Sequence, residues 1–97
     1  MIKVEINKNE IIISGHSGYD EVGKDIVCAS VSSIIITTVN NILDINKEAI
    51  DYSDDGNVMR IKKNKEDDIV NKLINNMILL LENLEKDYPK NIKILRR

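Results

Sequence analysis

The feature that most constrains the fold is an apolar run that extends from Ile26 to Leu43. The run is rich in β-branched residues, which by propensity alone favour a strand. Its apolar side chains instead recur at intervals of three and four, and no turn residue interrupts them before Asn40 and Asn41, so the run predicts a buried helix. The predicted buried stripe is Val27, Val31, Ile34, Ile35, Thr38 and Ile42. Such a helix needs a sheet or further helices to cover it.

Strand patterns precede and follow the predicted helix. Ile2, Val4 and Ile6 alternate with polar residues, which indicates a half-buried strand. The three consecutive isoleucines within residues 10–14 indicate a strand that is covered on both faces. The turn signal DDGN at residues 54–57 predicts a second hairpin. The predicted strands are residues 2–7, 10–14, 48–53, 58–63 and 91–96.

A second helix is predicted between the second hairpin and the last strand. Asn64 is the predicted N-cap, and the acidic residues at 66–68 suit the positive end of the helix dipole. Pro89 is expected to end the helix near Tyr88. The predicted apolar stripe is Ile69, Val70, Leu73, Ile74, Met77, Leu80, Leu81 and Leu84. Residues 1–97 therefore predict one α+β domain of order ββαββαβ, with two helices packed on one face of a mixed β-sheet.

The charge pattern argues against nucleic acid as the main partner. The net charge is −2, and basic and acidic residues alternate along most of the chain, whereas phosphate binding needs a clustered basic surface. The longest unbroken apolar stretch, Met77 to Leu81, is far too short to span a membrane. The first residues, MIKVEIN, lack the apolar segment of a signal peptide. Since the single cysteine cannot form an internal disulfide, we expect a cytoplasmic protein with no membrane partner.

The segment between the second strand and the first helix contains the only cluster of glycines, and it carries the residues capable of chemistry. His16 follows the strand and Cys28 lies near the helix start. In the first turn of a helix, the dipole and the free backbone N–H groups favour a thiolate over a thiol. A neighbouring His16 could take the thiol proton and later protonate a leaving amine. The free N–H groups could also stabilise an oxyanion, so this segment predicts thiol-dependent acyl transfer.

Other roles for these residues stay open at this point. A lone cysteine in a cytosolic protein is most often a small buried hydrophobe. A metal site formed by His16, Asp20, Glu21 and Cys28 is disfavoured, because a structural zinc site needs several Cys or His residues and this chain has one of each. We therefore predict no metal and no cofactor.

Two sequence blocks in this region resemble those of a known family. The block GHSGY at residues 15–19 and the block GKDIVCA at residues 23–29, followed by Val31 and Ser32, resemble the signature of the ribosomal-processing cysteine proteases (Prp). The resemblance implies a homodimeric endopeptidase that removes a short N-terminal extension from a large-subunit ribosomal protein. It places the family's nucleophile on Cys28 and its histidine on His16, and it implies that the loop between them is mobile over the active site.

The remaining candidate residues have two possible roles each. Asp25 could orient His16 as the third member of a triad, or it could cap the helix through backbone N–H groups. Ser32 could contact the substrate or the thiolate, or it could bond only to its own helix. The candidate substrate-contacting residues are Gly15, Ser17, Gly18, Tyr19 and Ser32. Residues 17–23 are expected to form a lid over the peptide.

Two further hypotheses concern how a partner binds. An extended peptide could add to a free sheet edge beside the loop. The alternative function is a non-catalytic α/β adapter, which would bind a ribosomal or assembly partner through the Gly15–Gly23 loop and would need no reactive cysteine.

Overall fold

The computed structural model of the chain describes residues 1–16, 18–20 and 25–97. The elements are β1 (Ile2–Ile6), β2 (Glu10–Ser14), α1 (Ile26–Ile45), β3 (Ile50–Asp54), β4 (Val58–Lys63), α2 (Asp68–Asp87) and β5 (Ile92–Arg96). This is the predicted ββαββαβ order, and both predicted hairpins and both predicted helices are confirmed.

The five strands form one mixed sheet in the order β3-β4-β2-β1-β5. β1–β2, β2–β4 and β3–β4 are antiparallel pairs, whereas β5 lies parallel to β1 at the far edge. Val4 is paired with Ile13 on one side and with Ile94 on the other, so apolar side chains line up across neighbouring strands on one face. That face carries the core.

Both helices cover this one face, as predicted. The core is built almost entirely from aliphatic side chains, namely Ile2, Val4, Ile11, Ile13, Val27, Val31, Ile35, Val39, Ile42, Ala49, Ile50, Ile61, Val70, Met77, Ile78, Leu81 and Ile92. Ile12 lies between two buried isoleucines of β2 and points to the opposite face, where it is only half-buried. The prediction that β2 is covered on both faces is therefore wrong, because no helix packs on the second face in the described part of the chain.

The helix α1 begins at Ile26 as predicted and continues to Ile45, two residues beyond the predicted end. Its buried residues are Val27, Val31, Ile35, Val39 and Ile42. By length and composition alone it is apolar enough to cross a membrane, and the core helix of a globular protein passes the same test. In this structure the buried residues of α1 pack in the hydrophobic core, together with residues of the sheet and of α2.

The helix α2 begins later than predicted, with Asp67 rather than Asn64 as its N-cap. The Asn64 backbone N–H donates to the Ala49 oxygen at 2.9 Å and its side-chain amide donates to the Glu48 oxygen at 3.2 Å, so Asn64 prolongs the β3–β4 ladder instead. The buried residues of α2 are Val70, Met77, Ile78 and Leu81. Ile69 and Leu80 of the predicted stripe are exposed.

The strands β3 and β5 each begin later than predicted. Asn46 explains the start of β3, since its side-chain oxygen accepts from the Glu48 N–H at 3.0 Å and its backbone oxygen accepts from the Ala49 N–H at 3.2 Å. These bonds hold residues 46–49 in a turn, so that β3 starts at Ile50. In the same way, the Asn91 N–H donates to the Tyr88 oxygen at 3.0 Å and remains in the turn before β5.

Candidate active site

The carboxyl end of β2 and the amino end of α1 meet at one end of the sheet. After β2, the chain passes Gly15 at φ +86°, a conformation that favours glycine. A Cβ atom at this position would collide with the Met1 backbone oxygen. Glycine is therefore required here for two reasons, and its close approach to the start of β1 directs His16 to the rim of the sheet.

Cys28 is the third residue of α1, so it lies in the first helical turn as the sequence predicts. One side of this half-buried residue packs against the aliphatic core. The other side lines a cleft of about 280 Å³ that His16 also lines. The structure thus brings the two residues, twelve positions apart in sequence, to one cavity.

A second cleft of about 370 Å³ adjoins the first and shares His16, Cys28 and Ser32 with it. Its lining residues are His16, Gly18, Asp20, Asp25, Cys28, Ala29 and Ser32. Among the candidate substrate-contacting residues, Gly15, Gly18 and Ser32 therefore line one or both clefts. Ser17 lies outside the described residues, as does the greater part of the segment expected to form a lid.

Asp25 lies at the N-cap of α1, and its carboxylate has two sets of partners. One oxygen, Oδ1, accepts from the backbone N–H groups of Val27 and Cys28, both at 3.0 Å. The other, Oδ2, accepts from the N–H groups of Tyr19 at 3.3 Å and Asp20 at 3.4 Å. The carboxylate thus caps the helix and also ties the loop to the helix start.

This cap overturns one expectation about the oxyanion. The sequence predicts that free N–H groups at the helix start stabilise it, yet the Val27 and Cys28 N–H groups already donate to Asp25. While that carboxylate is in place, these two donors are occupied. The cap also puts a negative charge beside the helix end that would otherwise favour a thiolate.

Tyr19 does not line either cleft. Its ring makes an edge-to-face contact with the Tyr88 ring, with centroids 5.3 Å apart and ring planes at 86°. Tyr88 is the C-cap of α2. The contact therefore joins the loop before α1 to the end of the other helix, although Tyr19 remains about half exposed.

Sequence reasoning missed the opposite wall of the first cleft. Asp54, Gly56, Asn57 and Met59, from the β3–β4 turn and the start of β4, line it together with Cys28. The turn itself was predicted, but no role was assigned to it. Only the pairing of β4 with β2, which puts Val58 opposite Ser14, brings this turn to the end of the sheet where His16 and Cys28 lie.

The β3–β4 turn is held by the Asp55 carboxylate, which accepts backbone hydrogen bonds in the same way as an N-cap side chain. Asp55 Oδ1 accepts from the Asn57 N–H at 2.9 Å and from the Val58 N–H at 2.8 Å. These two hydrogen bonds are the main reason why the pKa of Asp55 is lowered from its usual value. Burial and the nearby Asp54, two residues further along β3, raise the pKa of Tyr52.

No group of three or more His, Cys, Asp or Glu residues in the described ranges is arranged to hold a metal ion. His16 and Cys28 do share a cavity with carboxylates, but that set lacks the several His or Cys ligands of a structural zinc site. The arrangement instead suits proton transfer between an imidazole and a thiol, followed by attack on a carbonyl group.

Comparison with known proteins agrees with this chemistry. A family model described as cysteine protease Prp matches residues 1–93. The ribosomal processing cysteine protease Prp of Staphylococcus aureus is 31% identical over 103 residues, covering 97% of each chain. The Bacillus subtilis protein of the same name is 28% identical over 89 residues, covering 84% of this chain and 80% of that one. A crystal structure of the S. aureus protease with a covalently linked product peptide matches with a TM-score of 0.92 and 29% identity, covering both chains fully.

Proposed function

The chain belongs to the cysteine protease Prp family, and we propose that it removes the N-terminal extension of a large-subunit ribosomal protein. In this proposal Cys28 is the nucleophile and His16 is the general base and acid. The observation that carries it is that both residues line the same two adjoining clefts, with His16 two positions after β2 and Cys28 in the first turn of α1. The related crystal structure is that of the S. aureus protease in complex with a covalently linked product peptide.

The reaction follows from the two side chains. His16 takes the proton of the Cys28 thiol, and the sulfur attacks the carbonyl carbon of the scissile peptide bond. The C–N bond then breaks, and the amine leaves with the proton held by His16. Water, deprotonated by His16, attacks the resulting thioester and releases the carboxyl product together with the free thiol.

The charge around Cys28 makes His16 necessary for forming the thiolate. A thiolate in the first turn of α1 would gain from the helix dipole, but the Asp25 carboxylate takes the N–H groups of Val27 and Cys28 and adds a like charge nearby. The imidazolium formed when His16 takes the proton is then the positive partner of the sulfur. Asp25 acts as a positioning residue that fixes both the loop and the helix start.

Gly15, Gly18 and Ser32 line the clefts and are assigned to contact the peptide. We extend the proposal to Ser17, which belongs to the same sequence block. Tyr19 is given a different role, because its ring packs on Tyr88. The proposed enzyme works in the cytoplasm as a homodimer, and its partner is the precursor of the ribosomal protein.

The test is cleavage of a purified ribosomal-protein precursor, followed by mass spectrometry of the products. Cys28→Ala and His16→Ala are each expected to lose cleavage by about a thousandfold or more. Ser33→Ala is the matched control, because this exposed serine lies on α1 outside both clefts. Cleavage by Cys28→Ala at the wild-type rate would refute the proposal, as would a wild-type enzyme that leaves the extension intact.

Thiol labelling at neutral pH separates the protease from a non-catalytic adapter. We expect rapid modification of Cys28 by iodoacetamide in the native protein and markedly slower modification in His16→Ala, because the imidazole removes the thiol proton. A native Cys28 that resists labelling while the chain still binds the precursor would favour the adapter.

A further inference from the structure

A five-stranded open sheet has two edges, here formed by β3 and β5. An edge strand presents backbone N–H and C=O groups that can pair with another extended chain. Extended peptides often bind proteins by adding a strand in this way. The two edges of this sheet differ in whether those groups are already used.

The β5 edge is covered by the carboxyl-terminal part of α2. The Ile92 N–H donates to the Tyr88 backbone oxygen at 3.2 Å, and the Ile94 N–H donates to a Glu85 carboxylate oxygen at 2.8 Å. The Asn91 oxygen accepts from the Ile2 N–H, and the Arg97 N–H donates to the Ile6 oxygen, both at 2.9 Å. The odd-numbered residues of this segment therefore bond to β1, and the backbone groups of Ile92 and Ile94 face outward. An incoming strand would have to displace both bonds.

The β3 edge has the opposite character. Asp55 donates to the Val58 oxygen at 3.2 Å, and Ala49 accepts from Asn64 at 2.9 Å, so the odd-numbered residues of this segment pair with β4. The backbone groups of Tyr52 and Asp54 consequently point away from β4. Within residues 1–16, 18–20 and 25–97, the structure records no hydrogen bond to the backbone N–H or C=O of these two residues.

The β3 edge also leads to the cleft of the proposed nucleophile. Asp54, the last residue of β3, lines the cleft that Cys28 and His16 line. Asp54 and Asp55, both exposed, put negative charge at the cleft end of this edge, whereas Asp51 faces Lys62 across the β3–β4 ladder. A strand paired here would be continuous with the catalytic cleft and would find complementary charge if it carried lysine or arginine.

We propose that β3 is the docking strand for the substrate, and that an extended peptide with a basic side chain pairs with the backbone of Tyr52 and Asp54. The peptide then runs past Asp54 into the cleft. This inference rests on the proposed protease function and adds the surface that aligns the substrate. The β5 edge is excluded from the role because α2 occupies its donors.

The first test is residue-resolved amide hydrogen exchange by NMR on the Cys28→Ala variant. The ligand is a synthetic peptide that spans the extension and the first residues of the mature ribosomal protein. Saturating peptide is expected to slow exchange at Tyr52 and Asp54 by about tenfold or more, because each amide gains a hydrogen bond. The amides of Ser53 and Ile94 serve as matched controls, and they should not change, since they are already bonded to β4 and Glu85.

The second test uses the wild-type enzyme and N-methylated peptides. Strand pairing is two-fold periodic, so N-methylation at alternate residues upstream of the scissile bond should lower kcat/KM by about tenfold, while methylation at the intervening residues should have little effect. Replacing the peptide's lysine and arginine residues by glutamine should lower kcat/KM further, and the decrease should be largest at low salt.

The results separate the inference from the function on which it depends. Efficient cleavage without protection at Tyr52 and Asp54, or with no alternation along the peptide, would overturn β3 docking and leave the protease intact. Protection confined to the surface between α1 and α2 that Ser30, Ile34 and Leu80 line would do the same. Protection of Tyr52 and Asp54 in the free protein that grows with protein concentration would assign the edge to a second copy of this chain. Failure of the wild-type enzyme to cleave any of the peptides or the whole precursor would instead reject the proposed function.

Discussion

The two helices of this protein begin in nearly the same way, yet only one start belongs to the candidate site. Asp25 and Asp67 are both N-caps, and each carboxylate accepts from the N–H groups of the second and third helical residues at 2.9–3.1 Å. In α1 the third residue is the half-buried Cys28, whereas in α2 it is the fully buried Val70. The two helices share the same capping hydrogen bonds, but only α1 has a potential nucleophile at its third position.

The second oxygen of each cap marks the difference. In Asp25 it accepts from the loop residues Tyr19 and Asp20. Within the described part of the chain, the side chain of Asp67 accepts hydrogen bonds only from the helix amides of Ile69 and Val70. A carboxylate that serves only its own helix stabilises that helix. One that also holds a loop couples the helix start to the residues that line the cleft, so α1 uses an ordinary cap to position a site.

The largest effect is expected at the third helical position. Cys28→Ala should abolish cleavage with little loss of stability, since it removes one half-buried sulfur. Val70→Ala should leave the activity of the folded enzyme nearly unchanged and lower the free energy of unfolding by about 2 kcal/mol, because it opens a cavity in the core. Urea unfolding and precursor cleavage, measured on both variants, check the contrast. A large stability loss in Cys28→Ala with retained cleavage would show that Cys28 is a core residue and not the nucleophile.

The caps provide the next contrast. Asp25→Ala and Asp67→Ala should each lower the free energy of unfolding by about 1 kcal/mol. Only Asp25→Ala should lower kcat/KM, by about tenfold or more, because the loop and the helix start are no longer held together. The labelling rate of Cys28 should change in Asp25→Ala alone. Equal kinetic effects in the two variants would show that Asp25 contributes only general helix stability.

A smaller effect is expected where the loop contacts the end of α2. Tyr88→Leu keeps an apolar side chain against the core but removes the ring that Tyr19 meets edge-to-face. Such a ring pair contributes about 1 kcal/mol, so KM should rise about threefold to fivefold while kcat changes little. Leu73→Ala removes a half-buried apolar side chain that packs on the same core from α2, outside both clefts, and serves as the control for loss of core packing. An unchanged KM in Tyr88→Leu would show that the ring contact does not position the loop.

The smallest effect concerns Asp55, a third aspartate that accepts from two backbone N–H groups, here in a turn. Its pKa is lowered in the folded protein, so the carboxylate stabilises the fold above the usual carboxyl range, and this contribution is lost as the pH falls through the lowered pKa. Between about pH 5 and pH 2, the wild type should lose more stability than Asp55→Asn. Thermal unfolding across this range measures the difference, and parallel curves would contradict it.

Local residue chemistry predicted much of the fold. The alternation in β1, the DDGN turn and the apolar period of α1 each act over a few neighbouring positions, and the structure has the elements they indicate. Asn64 failed as a cap for a tertiary reason, since its amides bond to Glu48 and Ala49 across the hairpin. The propensity of asparagine for N-caps carries no information about that pairing.

The site was predictable only in part for a related reason. The segment containing His16 and Cys28 could be identified because one loop connects the elements that carry them. The wall formed by Asp54, Gly56 and Asn57 depends on the pairing of β4 with β2, which no local pattern specifies. The double use of the Asp25 carboxylate likewise depends on where Tyr19 and Asp20 return to the helix.

The parallel pairing of β1 with β5 has a consequence for folding kinetics. It joins Ile2 to Ile92, so forming this ladder closes a loop of nearly the whole chain. The contacts within the two hairpins and within α1 join residues that are much closer in sequence, and closing a short loop costs less entropy. We expect refolding in which the β1–β2 hairpin, α1 and the β3–β4 hairpin assemble early and the outer strand docks last. The walls of the cleft come from those early elements, so a binding-competent site would precede the completed sheet.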